Sequence, residues 1–492
     1  MLRRRGTSQQ PIPTEHQRET YNDNDNIQSI SYRAFKRNRS TLLTLLSTGS
    51  FCYLVWTLGG SLCRHLGYLP QGNSNRLRLN DPIKQQDNGV ISANLIPRVE
   101  NSIVVADEYE DGAPLVIGTH HRFLKNTTDV VYAFPPADVE ELGVGKTDRQ
   151  KKVQIALLIH ACTHSALKFF SPSPSCPDCI GLSEEIRIAR ILLSRRYVVV
   201  AISSSNRKSG CWNDNEVHRV NDILIEFQQL VLNDEYGEEQ VQHASVISIG
   251  ASSGGHFAAA LAVNGIATGG SLIMVSRIGP KLVEKFISSI KAYEKEYDEA
   301  GGDSLSDSII SPIYLAPMPR DTGTTKGAQT DYDTILQSSS KSAIVERLRR
   351  RIILDVSTCT PLEISVAYLN ERVPHMTASM ATMIIKALAK AKHVVPSRSP
   401  TNPSNPSGNN LSDDNIQQSN FSLIKDPTRS DWRQVLQESC ANQGCLTNQP
   451  LGPGVSPLAK GLHRAWAYHE YCSEVVEPAL DFFASSLDGM EV

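Results

Sequence analysis

Residues 245–260 read SVISIGASSGGHFAAA, and the character of the chain changes twice within them. Val246–Ile249 is rich in β-branched residues, as a buried strand is. The run breaks at Gly250 and gives way to the small, helix-compatible residues Gly254–Ala260, so the segment reads as strand, sharp turn and helix. A serine placed at such a turn sits in a strained backbone conformation, and its neighbours must be small because the following helix packs close to the strand. Gly250, Ser252, Gly254 and Gly255 meet that need, which makes Ser252 a candidate nucleophile. The plainer reading is a glycine-rich turn whose serines satisfy backbone groups.

On either side of this stretch the chain alternates. Val153–His160 (VQIALLIH), Tyr197–Ser203 (YVVVAIS), Gly270–Val275 (GSLIMV), Ser311–Pro317 (SPIYLAP) and Ile352–Val356 (IILDV) read as strands. Several are apolar almost throughout, as strands buried on both faces should be. Helical patterns over Leu182–Ser194, Val217–Leu232, Val283–Ala300 and Asp331–Arg350 separate them. Ser102–Ala106, Pro114–Gly118 and Val130–Phe134 are shorter strand candidates with turn signals between them. The alternation predicts a mostly parallel sheet covered by helices, an α/β core over residues 101–360.

Beyond the core the pattern changes. Leu362–Lys392 is mostly helical, and the Pro-, Ser- and Asn-rich residues 394–420 are expected to be a disordered surface insertion. Residues 361–460 are expected to form a helical cap. Residues 461–492 are expected to supply a loop carrying His463 and His469, followed by a helix over Leu462–Leu487.

A serine hydroxyl is a poor nucleophile at neutral pH and needs a base, most often histidine, whose second ring nitrogen is held by a carboxylate. Asp321 lies just past a strand end and His469 precedes the final helix, so serine, acid and histidine follow one another along the chain in the order one known arrangement uses. Both Ser252 and Asp321 would stand at carboxyl ends of strands, where open α/β sheets place their sites. Asp331 and Asp333 compete with Asp321, but fall at an expected helix start where N-capping explains them. His463 competes with His469, and His256 and His375 read as structural. An oxyanion needs main-chain donors: Ser253 would supply one, and Ala161 or Cys162, in the loop after His160, the other. Ala161 stands where such loops usually carry glycine.

The 492 residues carry a net charge of −3, which gives no footing for nucleic-acid binding. Residues 1–40 read as a polar, basic, disordered tail. Thr41–Cys63 contains no charged residue and is long enough to cross a hydrocarbon core of roughly 30 Å. It is expected to be a transmembrane helix, with a polar linker over 64–100. The basic flank lies on its N-terminal side, placing the N-terminus in the cytosol and the remainder in a lumenal or extracellular space. A cleaved signal peptide or a buried core helix are the rival readings. Asn126, Asn410 and Asn420 begin glycosylation acceptor triplets. Eight cysteines follow the span and could pair in an oxidising compartment, Cys211 with Cys176 or Cys179 among them. The Cys176–Cys179 spacing fits neither a thioredoxin-like site nor a zinc site well.

Taken together, LLIHACTHSA, SCPDCIGLSEE, SGCW, ISIGASSGGHFAAALA, YLAPMPRDTGT, KDPTRSDWRQVL and AWAYHEYCSE resemble a family of plant and algal α/β-hydrolase proteins known mostly by fold. The resemblance runs from about Val153 to Leu487 outside the low-complexity insertion. It implies an α/β-hydrolase fold with Ser252 as nucleophile, supports Asp321 and His469 as partners, and supplies no substrate. The reading that follows is a membrane-anchored serine hydrolase acting on a small-molecule or lipid ester, without cofactor or metal. A serine peptidase of prolyl-oligopeptidase type and a catalytically silent binding protein are the alternatives.

Overall fold

The computed structural model describes residues 116–125, 127–136, 152–299, 310–397, 413–440, 451–452 and 456–488. The tail, the apolar segment 41–63, the linker 64–100, the strand candidate Ser102–Ala106, and Asn126 and Asn410 lie outside these residues. Among the described residues no helix is long and apolar enough to cross a membrane.

Eight strands form one sheet: β1 (Thr119–Phe123), β2 (Thr128–Ala133), β3 (Gln154–Ile159), β4 (Val198–Ile202), β5 (Ser245–Ala251), β6 (Gly270–Met274), β7 (Ile313–Ala316) and β8 (Ile352–Leu354). Their spatial order is β1-β2-β4-β3-β5-β6-β7-β8. The β1–β2 and β2–β4 pairs are antiparallel, and all other neighbours are parallel.

The central strands β3 to β7 are largely apolar on both faces because both faces are covered, and the two-residue period of a strand sorts their side chains into two cores. Ile155, Leu157, Val198, Val200, Ile273, Ile313 and Leu315 enter one layer. There they meet helices α2 (Val217–Phe227), α3 (Ser253–Val263), α4 (Pro280–Glu299), α5 (Thr322–Leu336) and α6 (Ser342–Arg351), the first two numbered after α1 (Ser183–Ser194). Ala156, Leu158, Val199, Ile247, Ile249, Leu272 and Met274 enter the other layer, against α1 and the last helix. A charge at any of these strand positions would be buried without a partner, which is why none occurs.

Beyond β8 the chain builds a third core, in the region expected to form a cap. It is built from α7 (Val366–Arg372), α8 (Ala378–Lys390), α9 (Trp432–Cys440) and α10 (Pro457–Trp466), with an antiparallel ribbon of β9 (Val394–Pro396) and β10 (Phe421–Leu423). Leu462 and Ala465 also pack in this core. Helix α11 (Val476–Asp488) then returns to the sheet.

Several boundaries differ from the sequence reading. The expected helix Asp331–Arg350 is two helices, α5 and α6, parted by the turn around Ser338–Ser340, and α5 starts at Thr322 because Asp321 caps it. Leu362–Lys392 divides at Val373–His375, where His375 has φ 60°. Of the strand candidate Pro114–Gly118, the described residues 116–118 contribute the isolated bridge of Ile117 to Ser171, whereas the polar β1 was not expected as a strand. Residues 394–420 are ordered at both ends, as β9 and as the helical turn Asp413–Gln418 leading to β10. Within that insertion, residues 398–412 lie outside the described set.

Candidate active site

The chain leaves β3 toward β4 on one side and β5 toward β6 on the other, which opens a crevice at the carboxyl ends of these two central strands. Ser252 follows β5 directly, with φ 55° and ψ −122°, a backbone region that residues with a Cβ seldom occupy. Its N–H donates to Met274 O at 3.0 Å. The small residues around it have a visible cause: a Cβ on Gly254 would stand 2.3 Å from Ile159 O, and one on Gly250 would stand 2.3 Å from Gly254 O. Helix α3 therefore lies against β3 and β5 at backbone contact, which tips the Ser252 hydroxyl out over the sheet edge.

Asp321 comes at the end of the loop after β7. It is the N-cap of α5, accepting from Thr324 N–H at 3.2 Å on Oδ1 and from the Thr324 hydroxyl at 2.5 Å on Oδ2. Burial opposes its charge, but hydrogen bonds from His469 and from the Thr324 hydroxyl and N–H prevail and hold the carboxyl below its ordinary pKa.

His469 sits between α10 and α11, in the left-handed region with φ 44°. The residues around it fasten the loop to helices α7 and α10, to α1 and to β3. Glu470 pairs with Lys460 at 2.9 Å. The Tyr471 hydroxyl donates to Ile159 O at 3.0 Å, and Ser473 N–H donates to Glu184 at 2.9 Å. Glu474 accepts from Arg464 at 3.0 Å and from Arg372, which also pairs with Glu184. Glu184 and Arg464 are fully buried, so this network is held in a low-dielectric interior where each partner is needed.

These three segments bring the side chains together. His469 Nδ1 lies 2.7 Å from Asp321 Oδ2, and His469 Nε2 lies 2.8 Å from Ser252 Oγ. An ionised carboxylate can only accept, so Nδ1 carries the ring proton and donates, leaving Nε2 to accept from the serine hydroxyl. Such an array can move a proton off Ser252 while a carboxylate stabilises the resulting imidazolium. The His469 side chain is 43% exposed, so the array opens to an incoming molecule.

Ser253 is the first residue of α3, and its N–H has no intrahelical acceptor. Across the crevice, His160 is buried, and desolvation lowers its pKa to about 3, so it is neutral. Its Nε2 accepts from Ser204 N–H at 2.9 Å, which puts the proton on Nδ1, and that N–H donates to Ala161 O at 2.8 Å. His164 N–H donates to the same carbonyl at 3.2 Å. In a trans peptide the N–H points opposite to the carbonyl, so fixing Ala161 O also fixes the direction of Cys162 N–H. Ala161 itself needs no glycine-like conformation; Thr163 takes the positive φ, 63°.

Other expectations need correction. Cys211 pairs with Cys162, and Cys176 with Cys179. The reason is proximity of the two loops, since Thr163 N–H donates to Ser209 O at 2.7 Å. Cys440 is also disulfide-bonded, with its partner outside the described residues, and Cys359 and Cys472 are buried free thiols. Asp331 and Asp333 are not N-caps: both lie inside α5, Asp331 bonding Arg277 and Gly279 N–H and Asp333 accepting from Gln329. His463 is on helix α10, not in the loop, with Nδ1 3.8 Å from Glu470. His256 pairs with Asp214 at 3.0 Å, and His375 is exposed in the cap. The anchoring residues Glu184, Arg372, Lys460 and Glu474 were missed; no local pattern marks the pairing of Arg372 with Glu184 and Glu474, each more than a hundred residues away.

No protein-family profile matches the sequence, and none of the curated proteins compared with it matches either. Solved structures similar to this chain include an esterase from Pyrococcus furiosus, with 13% identity over 50% of this chain and 83% of that one and a TM-score of 0.28. The feruloyl esterase module from Clostridium thermocellum has 12% identity over 52% and 84%, with a TM-score of 0.31. The acylaminoacyl peptidase from Pyrococcus horikoshii has 10% identity over 49% of this chain but only 37% of that one, with a TM-score of 0.28. Likenesses this distant leave the chemistry to be read from the site itself.

Proposed function

We propose that this chain is a serine hydrolase that cleaves carboxylic esters through an acyl-enzyme. The observation that carries the reading is the continuous hydrogen-bonded line from Ser252 Oγ through the His469 ring to Asp321. Ser252 Oγ attacks the acyl carbonyl as its proton passes to His469 Nε2, and Asp321 holds the ring in the tautomer that can receive it. The N–H groups of Ser253 and Cys162 take the charge that develops on the carbonyl oxygen. The imidazolium protonates the departing alcohol, the C–O bond breaks, and an ester to Ser252 remains. A water then enters, gives its proton to His469, attacks that ester, and releases the acid as the proton returns to Ser252.

The cap core of α7 to α10 is joined to the sheet by Arg372, which positions it to bound substrate access. As part of the same proposal, Thr41–Cys63 anchors the chain in a membrane with the hydrolase portion on the lumenal or extracellular side; the uncharged stretch and the disulfides support this reading.

Labelling of the full chain with a fluorophosphonate tests the proposal. Stoichiometric labelling that vanishes in Ser252→Ala and His469→Ala supports it, followed by turnover of p-nitrophenyl acyl esters in preference to a matched peptide-amide panel. No labelling of a folded protein overturns the enzyme reading, and faster cleavage of the amides overturns the ester assignment.

A further inference from the structure

We infer that Arg320 makes this site one for esters that carry a carboxylate of their own, its guanidinium receiving that group while Ser252 meets the ester carbonyl. The inference rests on the hydrolase reading above and names its substrate class.

Arg320 stands at the same edge of the sheet as Ser252. It is exposed, follows β7 in the turn that Asp321 N–H closes on Met318 O at 2.9 Å, and directly precedes Asp321. Its guanidinium lies over the indole of Trp466, 3.5 Å from the ring centre, and Trp466 ends α10 three residues ahead of His469. The two segments that bring Asp321 to His469 thus bring Arg320 to Trp466 as well. Asp321 Oδ2 and Ser252 Oγ are bonded to the two nitrogens of one imidazole, so a long side chain rooted one residue from Asp321 is in reach of a molecule seated on Ser252.

The arginines that follow the neighbouring strands are already matched. Arg277, after β6, donates to both oxygens of Asp331, and Arg207, after β4, pairs with Asp129 at 2.6 Å. Among the described residues no carboxylate pairs with Arg320, and nothing accepts a hydrogen bond from its guanidinium. Partial burial lowers its pKa; Asp426, between β10 and α9, opposes this only from a distance. Asp426 Oδ1 is itself taken by the Thr428 N–H and hydroxyl, at 2.8 and 2.7 Å. Stacking on the indole uses the face of the guanidinium and leaves its in-plane N–H groups open, and those match a carboxylate by two parallel hydrogen bonds. The ring also holds the side chain in place, so little freedom is lost when an anion arrives. A single guanidinium balances a single charge, which selects a carboxylate over a doubly charged phosphate monoester.

The test compares charged and neutral esters of equal length on the full chain. The p-nitrophenyl monoester of adipate against p-nitrophenyl hexanoate puts the charge in the acyl half, and 4-acetoxybutyrate against butyl acetate puts it in the alcohol half. The ratio of kcat/KM, charged over neutral, should exceed one in one of the two pairs, which identifies the half that meets Arg320. Arg320→Gln should lower that ratio about tenfold, the scale of a hydrogen-bonded contact to a charged group. Arg320→Lys, a point charge without the fork, should keep only part of it. Lys326→Gln, which removes an exposed cation on α5, should leave the ratio within about twofold, because exposed charges are screened. Turnover of the neutral esters with no preference for either charged one, an unchanged ratio in Arg320→Gln, or an equal loss in Lys326→Gln would each overturn the assignment and leave the hydrolase reading standing. A folded wild type that takes up fluorophosphonate yet cleaves none of the four esters overturns the assignment alone, and one that does neither overturns both.

Discussion

Asp321 and Thr324 form a helix cap that is also the far end of the hydrogen-bonded line from Ser252: the Oδ2 that accepts from the Thr324 hydroxyl at 2.5 Å is the atom that accepts from His469 at 2.7 Å. The start of α5 thus fixes the carboxylate that orients the imidazole, and structure and chemistry can be separated by substitution. Asn caps a helix about as well as Asp. Its amide, however, can present a donor to His469 Nδ1 and favours the wrong tautomer. Asp321→Asn is expected to leave unfolding nearly unchanged while ester turnover falls by about 10⁴-fold, the scale of that change in serine–histidine–aspartate enzymes. Asp321→Ala should lose as much activity and also about 1 kcal/mol of stability. Parallel kinetics and urea unfolding check both.

How much of this could be read from the chain follows from how local each constraint is. Ser252 was legible as a candidate because a nucleophile at a strand-to-helix turn needs small residues at fixed offsets, and Gly250, Gly254 and Gly255 stand at those offsets even though Gly254 makes its close contact with distant Ile159 and Gly255 with Met274 and Ser276. The strands were legible because burial on both faces leaves nothing polar in β4. The ends of helices were less so: the start of α5 depended on reading Asp321 as a cap three residues before Thr324, and the break near Ser339 depends on its contact with Glu294, far away in sequence. The pairing of Cys162 with Cys211, and the pairing of Arg372 with Glu184 and Glu474, were hidden for the same reason. Nothing near any of these residues encodes which distant loop will lie beside it.

The Cys162–Cys211 disulfide ties the loop carrying a candidate oxyanion donor to the segment ending at Cys211. Opening it leaves hydrogen bonds as restraints on that loop, among them Thr163 N–H to Ser209 O and those of His160 and His164 N–H to Ala161 O. An oxyanion donor is worth 10²–10³ in turnover when correctly aimed, so partial misalignment should lower kcat by roughly tenfold or more with little change in KM. Cys211→Ser tests this without altering the residue that bears the donor. Cys176→Ser with Cys179→Ser, which removes the other disulfide, is the control and should leave kcat within about twofold. Equal effects of the two would show that the loss is general destabilisation.

His160 makes a distinct prediction for pH. Its folded pKa is lowered by burial to about 3 from an ordinary value of 6.5, so below 6.5 the unfolded chain takes up a proton that the folded chain refuses. Its stabilising contribution is therefore complete above pH 6.5 and is lost progressively as the pH falls toward 3, at up to about 1.4 kcal/mol per pH unit. The carboxylates held low in the fold, Asp321 and Glu216 among them, add acid sensitivity of the same sign at the lower end of that window. His160→Gln can keep both hydrogen bonds and does not titrate. The difference in unfolding free energy between the two chains, measured at intervals from pH 7 to 4, should shift steadily in favour of the glutamine variant. A constant difference would mean that His160 does not stay neutral as the pH falls.

The anchoring of the His469 loop predicts an asymmetry between removing one charge and removing two. Arg372 and Glu184 have side chains 5% and 0% exposed, and Glu184 also accepts from Ser473 N–H, four residues beyond His469. Arg372→Ala strands a carboxylate in the interior, a change that typically costs about 3–5 kcal/mol. It also removes an ion pair between α7 and α1, leaving Arg187 with Glu371, so kcat should fall with stability. Adding Glu184→Gln removes the stranded charge yet keeps an acceptor for Ser473 N–H. The double variant should therefore be more stable than Arg372→Ala alone and recover part of its turnover, although Glu184→Gln by itself weakens the wild-type pair. If the second substitution only adds to the damage, the carboxylate was not held by Arg372, and the loop bearing His469 takes its position from Glu470 and Tyr471 instead.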